Sequence, residues 1–336
     1  MNALELDTPA LYVDLDALER NIARMQARCR EMKVGLRPHI KTHKTPEIAR
    51  MQLAAGAIGL TVAKAGEAEV MPGDDLLIGY PLTKEKYARV RELAKTRRIT
   101  VAVDSVAIAQ GLPGINTLIE VDIGAGRCGV QTPEEAVAVA QACTNFQGLF
   151  YYPAWLDENE FKAGGSKVAA TIEALKRAGF ETKMVSGGST PGVVKTPIIP
   201  QTTEIRPGTY IFNDATCVAM GLCSEDDCAL RVLATVVSTS VPGQCIIDGG
   251  SKTFTYDATK GAPNYGRFPG RGWTMPRMTE EHGHVALNGG SAKVGEKVWV
   301  IPSHVCPAVN LQDELWYGRY GQVEGKWAIA ARGKIR

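Results

Sequence analysis

The sequence predicts an α/β fold: a (β/α)8 TIM-type barrel followed by an antiparallel β domain. Two observations carry this. Over the first about 200 residues, short apolar stretches alternate with amphipathic ones whose apolar residues recur at helical spacing, the pattern of a parallel sheet with crossover helices. Beyond residue 225 the texture changes to β-branched and aromatic runs separated by Gly and Pro turns, the pattern of antiparallel strands. With this many βα units a closed barrel is the economical arrangement, and an open doubly wound sheet comes second. The expected organisation is an N-terminal strand at 1–10 joining the β domain, a barrel over 11–224 and the β domain over 225–336.

Residues 10–15 read as the first strand, and Asp16 is placed to cap a helix whose Leu18, Ile22 and Met25 share one face. Apolar residues from Met32 to Ile40 read as a second strand ending at Lys41; Pro46 suits the first turn of the helix that follows. Strands at 59–63 and 75–80 precede helices at 66–70 and 84–93. Residues 99–104 and 117–122 repeat the strand pattern, and Thr132-Pro133-Glu134-Glu135 opens a capped helix running to Cys143. A strand at 148–152, a helix ending near Gly179 and a strand at 183–186 continue the alternation. The β domain shows strands at 230–237, 244–248, 297–301 and 327–330, whereas 261–277, dense in Gly and Pro, reads as a long loop. No repeat of solenoid period is present.

Composition narrows the functional classes. The 336 residues hold 38 basic and 36 acidic side chains, well mixed, so neither nucleic acid nor an anionic membrane is implied as a partner. No apolar run approaches the ~20 residues of a membrane span, and residues 1–7 lack a signal peptide's charged lead and apolar core. A soluble, cytoplasmic protein is expected. The eight cysteines have no disulfide-framework spacing and read as reduced thiols; Cys223 and Cys228 lack the second pair that a metal site of that kind needs.

The stretch Leu36-Arg37-Pro38-His39-Ile40-Lys41-Thr42-His43-Lys44-Thr45-Pro46 lies at a predicted βα junction, where barrel enzymes keep their chemistry. Arg37, His39, His43 and Lys44 crowd Lys41, and cationic neighbours favour the neutral amine that Schiff-base chemistry needs. The same residues also suit a basic surface turn. Ser186-Gly187-Gly188-Ser189-Thr190-Pro191-Gly192 follows a strand and can cradle a phosphate with backbone N–H groups and hydroxyls; Arg206-Pro207-Gly208-Thr209-Tyr210 can complete such a site, or both are plain glycine turns. Arg127, in the glycine-rich exit after Val121-Asp122, can meet a cofactor ring or a carboxylate, or serve as a loop arginine. In Pro302-Ser303-His304-Val305-Cys306-Pro307, residues two apart in an extended segment point the same way, so His304 and Cys306 can reach one ion; imidazole with thiolate suits zinc. Glu280-Glu281-His282-Gly283-His284 offers acid–base groups or a polar turn.

Taken together, Asp7-Thr8-Pro9 with Tyr12-Val13-Asp14-Leu15, Arg37 to Lys44, Glu120-Val121-Asp122 to Arg127-Cys128-Gly129-Val130, Gly187-Gly188-Ser189-Thr190, Arg206 to Tyr210, Glu281-His282-Gly283, Pro302 to Pro307 and Ile329-Ala330-Ala331-Arg332-Gly333 form an ordered set. This set resembles the D-serine dehydratase and D-threonine aldolase family of alanine racemase-like (fold type III) pyridoxal 5'-phosphate enzymes. The resemblance implies a head-to-tail homodimer acting on a small-molecule D-amino acid. It makes Lys41, rather than Lys44, the lysine that forms the Schiff base. Gly188, Ser189, Thr190, Gly208 and Tyr210 would hold the phosphate, with Gly187 and Thr209 in the same segments, and Arg127 and Tyr152 would lie around the ring. His304 and Cys306 would bind a divalent metal and, with Lys41, form the catalytic set; His282 and His39 are candidates for substrate or partner-subunit contacts.

The dehydratase branch resembles His-x-Cys with zinc, whereas the aldolase branch usually shows His-x-Asp with manganese or magnesium. Cys306 therefore favours zinc and elimination of water from a D-3-hydroxy amino acid to a 2-oxo acid and ammonia. Retro-aldol cleavage to glycine and an aldehyde is the alternative. A non-catalytic pyridoxal-phosphate carrier is a third reading, against which the β domain and the His-x-Cys pair argue. The chain departs from the family pattern by being shorter around residues 70–73 and 153–155, and Pro153 follows Tyr152 where relatives show a histidine.

Overall fold

The computed structural model describes residues 1–153, 157–195, 198–259, 261 and 263–336, so part of the shortened segment at 153–155 lies outside the described residues. The chain forms two compact units: Met25–Lys41, Ile48–Gly208 and Lys334–Arg336 make one, and Met1–Arg24, Thr42–Glu47 and Thr209–Gly333 the other.

After β1 (Ala10–Asp14) and α1 (Leu15–Glu31), the first unit is built on β2 (Gly35–Leu36), β3 (Leu60–Val62), β4 (Asp75–Ile78), β5 (Arg98–Val103), β6 (Asn116–Val121), β7 (Phe146–Tyr151), β8 (Met184–Gly187) and β9 (Glu204–Ile205). These pair in parallel in the order β2-β9-β8-β7-β6-β5-β4-β3. A parallel bridge between His39 and Thr61 joins the last strand back to the first, with Thr61 N–H donating to Pro38 O at 2.9 Å. The sheet is therefore a closed barrel and not the open alternative. Leu77, Ala102, Leu118 and Phe150, from four adjacent strands, form one buried cluster.

Crossover helices are α2 (Pro46–Ala54), α3 (Ala65–Val70), α4 (Lys84–Leu93), α5 (Val106–Gln110), α6 (Pro133–Ala142), α7 (Glu158–Arg177) and α8 (Thr190–Lys195). The helix expected from Thr132 has its capping box, Thr132 with Glu135, and stops before Cys143.

Three local expectations are corrected. Asp14, not Asp16, caps α1: its Oδ1 accepts the Ala17 N–H at 3.0 Å, and Asp16 instead pairs with Arg319. The strand expected over 32–40 shrinks to two residues. Met32 to Val34 finish α1 through bonds to Arg28, Arg30 and Cys29 carbonyls, with Lys33 left-handed at φ 57°, and Pro38 brings no N–H to a ladder. Residues Ile40–Thr42 then form a single 3-10 turn, so Lys41 sits in a turn and not at a strand end.

The second unit carries α9 (Ala215–Ala219), β10 (Leu230–Ser238), β11 (Gln244–Ile247), α10 (Ser251–Phe254), β12 (Gly266–Arg267), β13 (Thr274–Met278), β14 (Gly283–Ala286), β15 (Lys297–Pro302), α11 (Val305–Asn310), β16 (Glu314–Arg319) and β17 (Gln322–Ala328). β10 is long enough to pair with β15 through residues 232–235 and with β11 through 236–238, which closes β10-β11-β14-β13-β12-β15 into a ring. β1 extends this sheet, antiparallel to β10 and parallel to β16. The stretch 261–277, expected as loop, holds β12 and most of β13. A register shift between Thr274 and Arg277 lets β13 tolerate Pro276, which masked the strand in the sequence.

Asp227 is a stability element of this unit. Burial pushes its carboxyl up, but Arg24 at 2.9 Å and the N–H and hydroxyl of Ser224 hold it down to about 2. A carboxyl depressed from 3.8 stabilises the fold above about pH 4, and this is lost as pH falls through 2. Asp227→Asn is expected to cost on the order of 1 kcal/mol at neutral pH, allowing for the exposed arginine, with parent and variant converging below pH 4 in denaturant titrations.

Candidate active site

The barrel interior holds a buried chain of charge. Arg37 is bound by Glu204 at 3.0 Å and Asp75 at 2.7 Å. Glu204 accepts from Ser186 Oγ at 2.6 Å, and Ser186 Oγ accepts from Arg206 at 2.7 Å. Arg206 also donates to Tyr151 O at 2.7 Å and stacks 3.6 Å above the Phe150 ring. Burial pulls the Arg206 guanidinium down to about 10 against the opposing pull of Glu204. Arg37, expected among the cations crowding Lys41, is paired with two carboxylates, as a buried guanidinium must be.

Lys41 is exposed, and its backbone N–H donates to His39 Nδ1 at 3.4 Å. Across the barrel mouth, Arg127 lies 4.5 Å from the Tyr152 ring and donates at 3.5 Å to Glu120. Burial raises the Glu120 carboxyl, and the Arg127 and Arg206 charges oppose the rise. The Gly187–Thr190 segment leaves β8 through Gly188, left-handed at φ +80°, where a Cβ would come to 3.0 Å from Ile205. A Cβ on Gly187 would enter the Tyr151 ring. Tyr151 and Ile205 fill the space a Cβ would take, so glycine lets this turn run close against β7 and β9, and Ser189 Oγ accepts from Gly192 N–H at 3.3 Å. Gly208 follows β9, the strand hydrogen-bonded to β8.

In the β unit, His304 is the N-cap residue of α11, so it meets Cys306 across a first helical turn. The extended geometry expected for this pair is therefore corrected: a helix start, not a strand, places the two residues. The two side chains are hydrogen-bonded. His304 Nδ1 lies 2.7 Å from Asp257 Oδ2. Cys306 Sγ lies 3.2 Å from the hydroxyl of Thr42, the residue after Lys41 in the chain, and 3.9 Å from that of Thr209. Asp214 caps α9 by accepting from Cys217 N–H at 2.9 Å and also accepts from Val305 N–H at 3.3 Å, tying both helix starts together. Burial alone would lower the His304 imidazole, but Cys306, Asp257 and Asp214 carry it up to about 9. A nitrogen and a sulfur donor already in contact fit a borderline-soft cation. Among the described residues no group of three His, Cys, Asp or Glu converges.

Other expected residues lie in plainer settings. His282 is exposed in the turn between β13 and β14, its Nδ1 3.3 Å from Thr279 Oγ1. Tyr210 is buried in the 3-10 turn Thr209–Ile211. Lys44, buried, donates to Ala331 O at 3.4 Å. Arg206, Glu120 and Asp257 were not singled out from the sequence. Arg206 and Glu120 at least stood inside quoted motifs; nothing local marked Asp257.

Comparison with known proteins agrees with this architecture. The family described as alanine racemase, N-terminal domain, matches residues 13–216, and the putative serine dehydratase domain matches 229–317. A D-threonine aldolase from Arthrobacter sp. is 36% identical over 98% of this chain and 94% of its own. The solved D-threo-3-hydroxyaspartate dehydratase from Delftia sp. HT23 superposes with a TM-score of 0.89 at 29% identity, covering 97% of this chain and 98% of that one. A mutant of D-threo-3-hydroxyaspartate dehydratase with alanine in place of a cysteine, solved in a metal-free form, has a TM-score of 0.88 at 28% identity, covering 98% of each chain. With both domains matched in order, the chain belongs to the D-serine dehydratase and D-threonine aldolase family of alanine racemase-like proteins.

Proposed function

We propose that the protein is a pyridoxal 5'-phosphate- and zinc-dependent lyase that removes water from a D-3-hydroxy amino acid, giving a 2-oxo acid and ammonia. The observation that carries the choice of elimination is the contact between His304 and Cys306, because a thiolate donor favours zinc over the harder manganese or magnesium. When bound, the pyridoxal ring supplies an electron sink for Cα and the metal a Lewis acid for the departing β-hydroxyl. Lys41 would anchor the cofactor and, once released by substrate, accept the α-proton on Nζ. Gly188, Ser189, Thr190, Gly208, Thr209 and Tyr210 would hold the phosphate, and Gly187 keeps Tyr151 packed beneath that turn. Arg127 and Tyr152, already paired, would lie along the ring, with Arg127 offered to a carboxylate. His39 and His282 remain candidates for substrate or partner-subunit contacts. A cytoplasmic homodimer is part of this reading; among the described residues no helix is long and apolar enough to cross a membrane.

The second reading, retro-aldol cleavage, is favoured by the 36% identity to a D-threonine aldolase. Incubation of the cofactor-loaded protein with D-serine, D-threonine and D-3-hydroxyaspartate separates the two. The expected products are oxo acid and ammonia, abolished by a chelator. Glycine plus an aldehyde would establish the aldolase reading, and no product from any of the three would remove both.

A further inference from the structure

Asp257 lies outside every motif singled out in the sequence, yet its Oδ2 is 2.7 Å from His304 Nδ1. The segment that carries it is built to stay there. α10 ends at Thr255, a β-branched residue held left-handed at φ +68°, a conformation that costs energy and persists only when its surroundings impose it. Thr255 Oγ1 accepts the Asp257 N–H at 3.1 Å. Two residues on, Thr259 Oγ1 lies 2.8 Å from Ser303 Oγ, and Ser303 Oγ donates to Asn264 O at 2.7 Å. Thr259 N–H closes the loop onto that same carbonyl at 2.8 Å. The loop is thus clipped to the residue immediately before His304.

We propose that Asp257 is a positioning residue for a metal at His304 and Cys306, holding the imidazole with Nε2 turned to the ion and raising its strength as a ligand. The inference rests on the metal reading above. A carboxylate accepting from Nδ1 fixes both the tautomer and the ring plane, and removing such a partner costs about 10- to 100-fold in metal affinity. Neither effect requires Asp257 to touch the metal or the substrate.

The test is competition for Zn2+ and Co2+ between the cofactor-loaded protein and a chromophoric chelator, with Asp257→Asn and Asp257→Glu beside the parent. The expected result is an about 10- to 100-fold weaker metal in Asp257→Asn, partial recovery in Asp257→Glu, and an unchanged cofactor absorbance and thiolate-to-cobalt band in all three. Equal affinity in parent and Asp257→Asn would overturn the inference and leave the metal reading standing. A parent that binds neither ion would overturn the metal reading itself and the inference with it. Should Asp257→Asn not fold, Thr259→Val releases the clip without touching either ligand. A several-fold loss of affinity then supports the proposal, and no loss overturns it.

Discussion

Lys41→Ala is expected to yield a folded protein without a yellow, borohydride-reducible chromophore and with lyase activity lower by about 10⁴-fold or more. The magnitude follows from losing two roles at once, since a positioned proton acceptor alone contributes about 10²–10⁴-fold. Folding is not expected to suffer: Lys41 is exposed, and such substitutions stay within about 0.5 kcal/mol. Lys44 is the control. It is buried with its Nζ on Ala331 O, so Lys44→Ala should lower the melting temperature while keeping the chromophore. Absorbance before and after borohydride, with a thermal melt, reads both. A chromophore that survives Lys41→Ala and vanishes in Lys44→Ala would transfer the role to the other lysine; one that survives both would end the proposed chemistry.

Where a signal was local, the sequence carried it. The Thr132–Glu135 box needs only four residues, and the helix begins there. Barrel closure was legible from the number of βα units, because alternating units leave few ways to cover both faces of a parallel sheet. The start of α1 was missed because Asp14 and Asp16 are chemically equal caps, and only the direction of the chain leaving β1 decides between them. β12 and β13 were hidden by Gly and Pro, whose usual meaning a bulge at Pro276 overrides. In the candidate site, His304 and Cys306 are two residues apart, a spacing visible in the sequence, and a helix start rather than a strand brings them together. Asp257 lies 47 residues from His304 and Glu204 lies 167 from Arg37. No periodicity links such positions; the closed sheets do. Arg37's neutralising partners stayed hidden for the same reason, since they arrive from β4 and β9.

Replacing Cys306 with alanine is expected to strip the metal and reduce elimination by about 10²–10³-fold while leaving the Lys41 chromophore in place. In the proposed scheme the two roles separate because different residues would carry them: Lys41 the cofactor and the His304–Cys306 pair the ion. Cys306 is half-buried on α11 with Thr42 and Thr209 hydroxyls beside its sulfur, so alanine removes little packing and the helix should persist. The more telling variant is Cys306→Asp. A carboxylate is a hard donor, so the site should move from zinc toward manganese or magnesium, measured as the metal that restores activity after chelation. If ligand softness also directs the chemistry, the same change should raise glycine and aldehyde relative to oxo acid and ammonia. Restoration by zinc alone, with an unchanged product ratio, would show that residue 306 decides neither the metal nor the bond that breaks. The choice would then rest with the residues that hold the substrate's β-carbon.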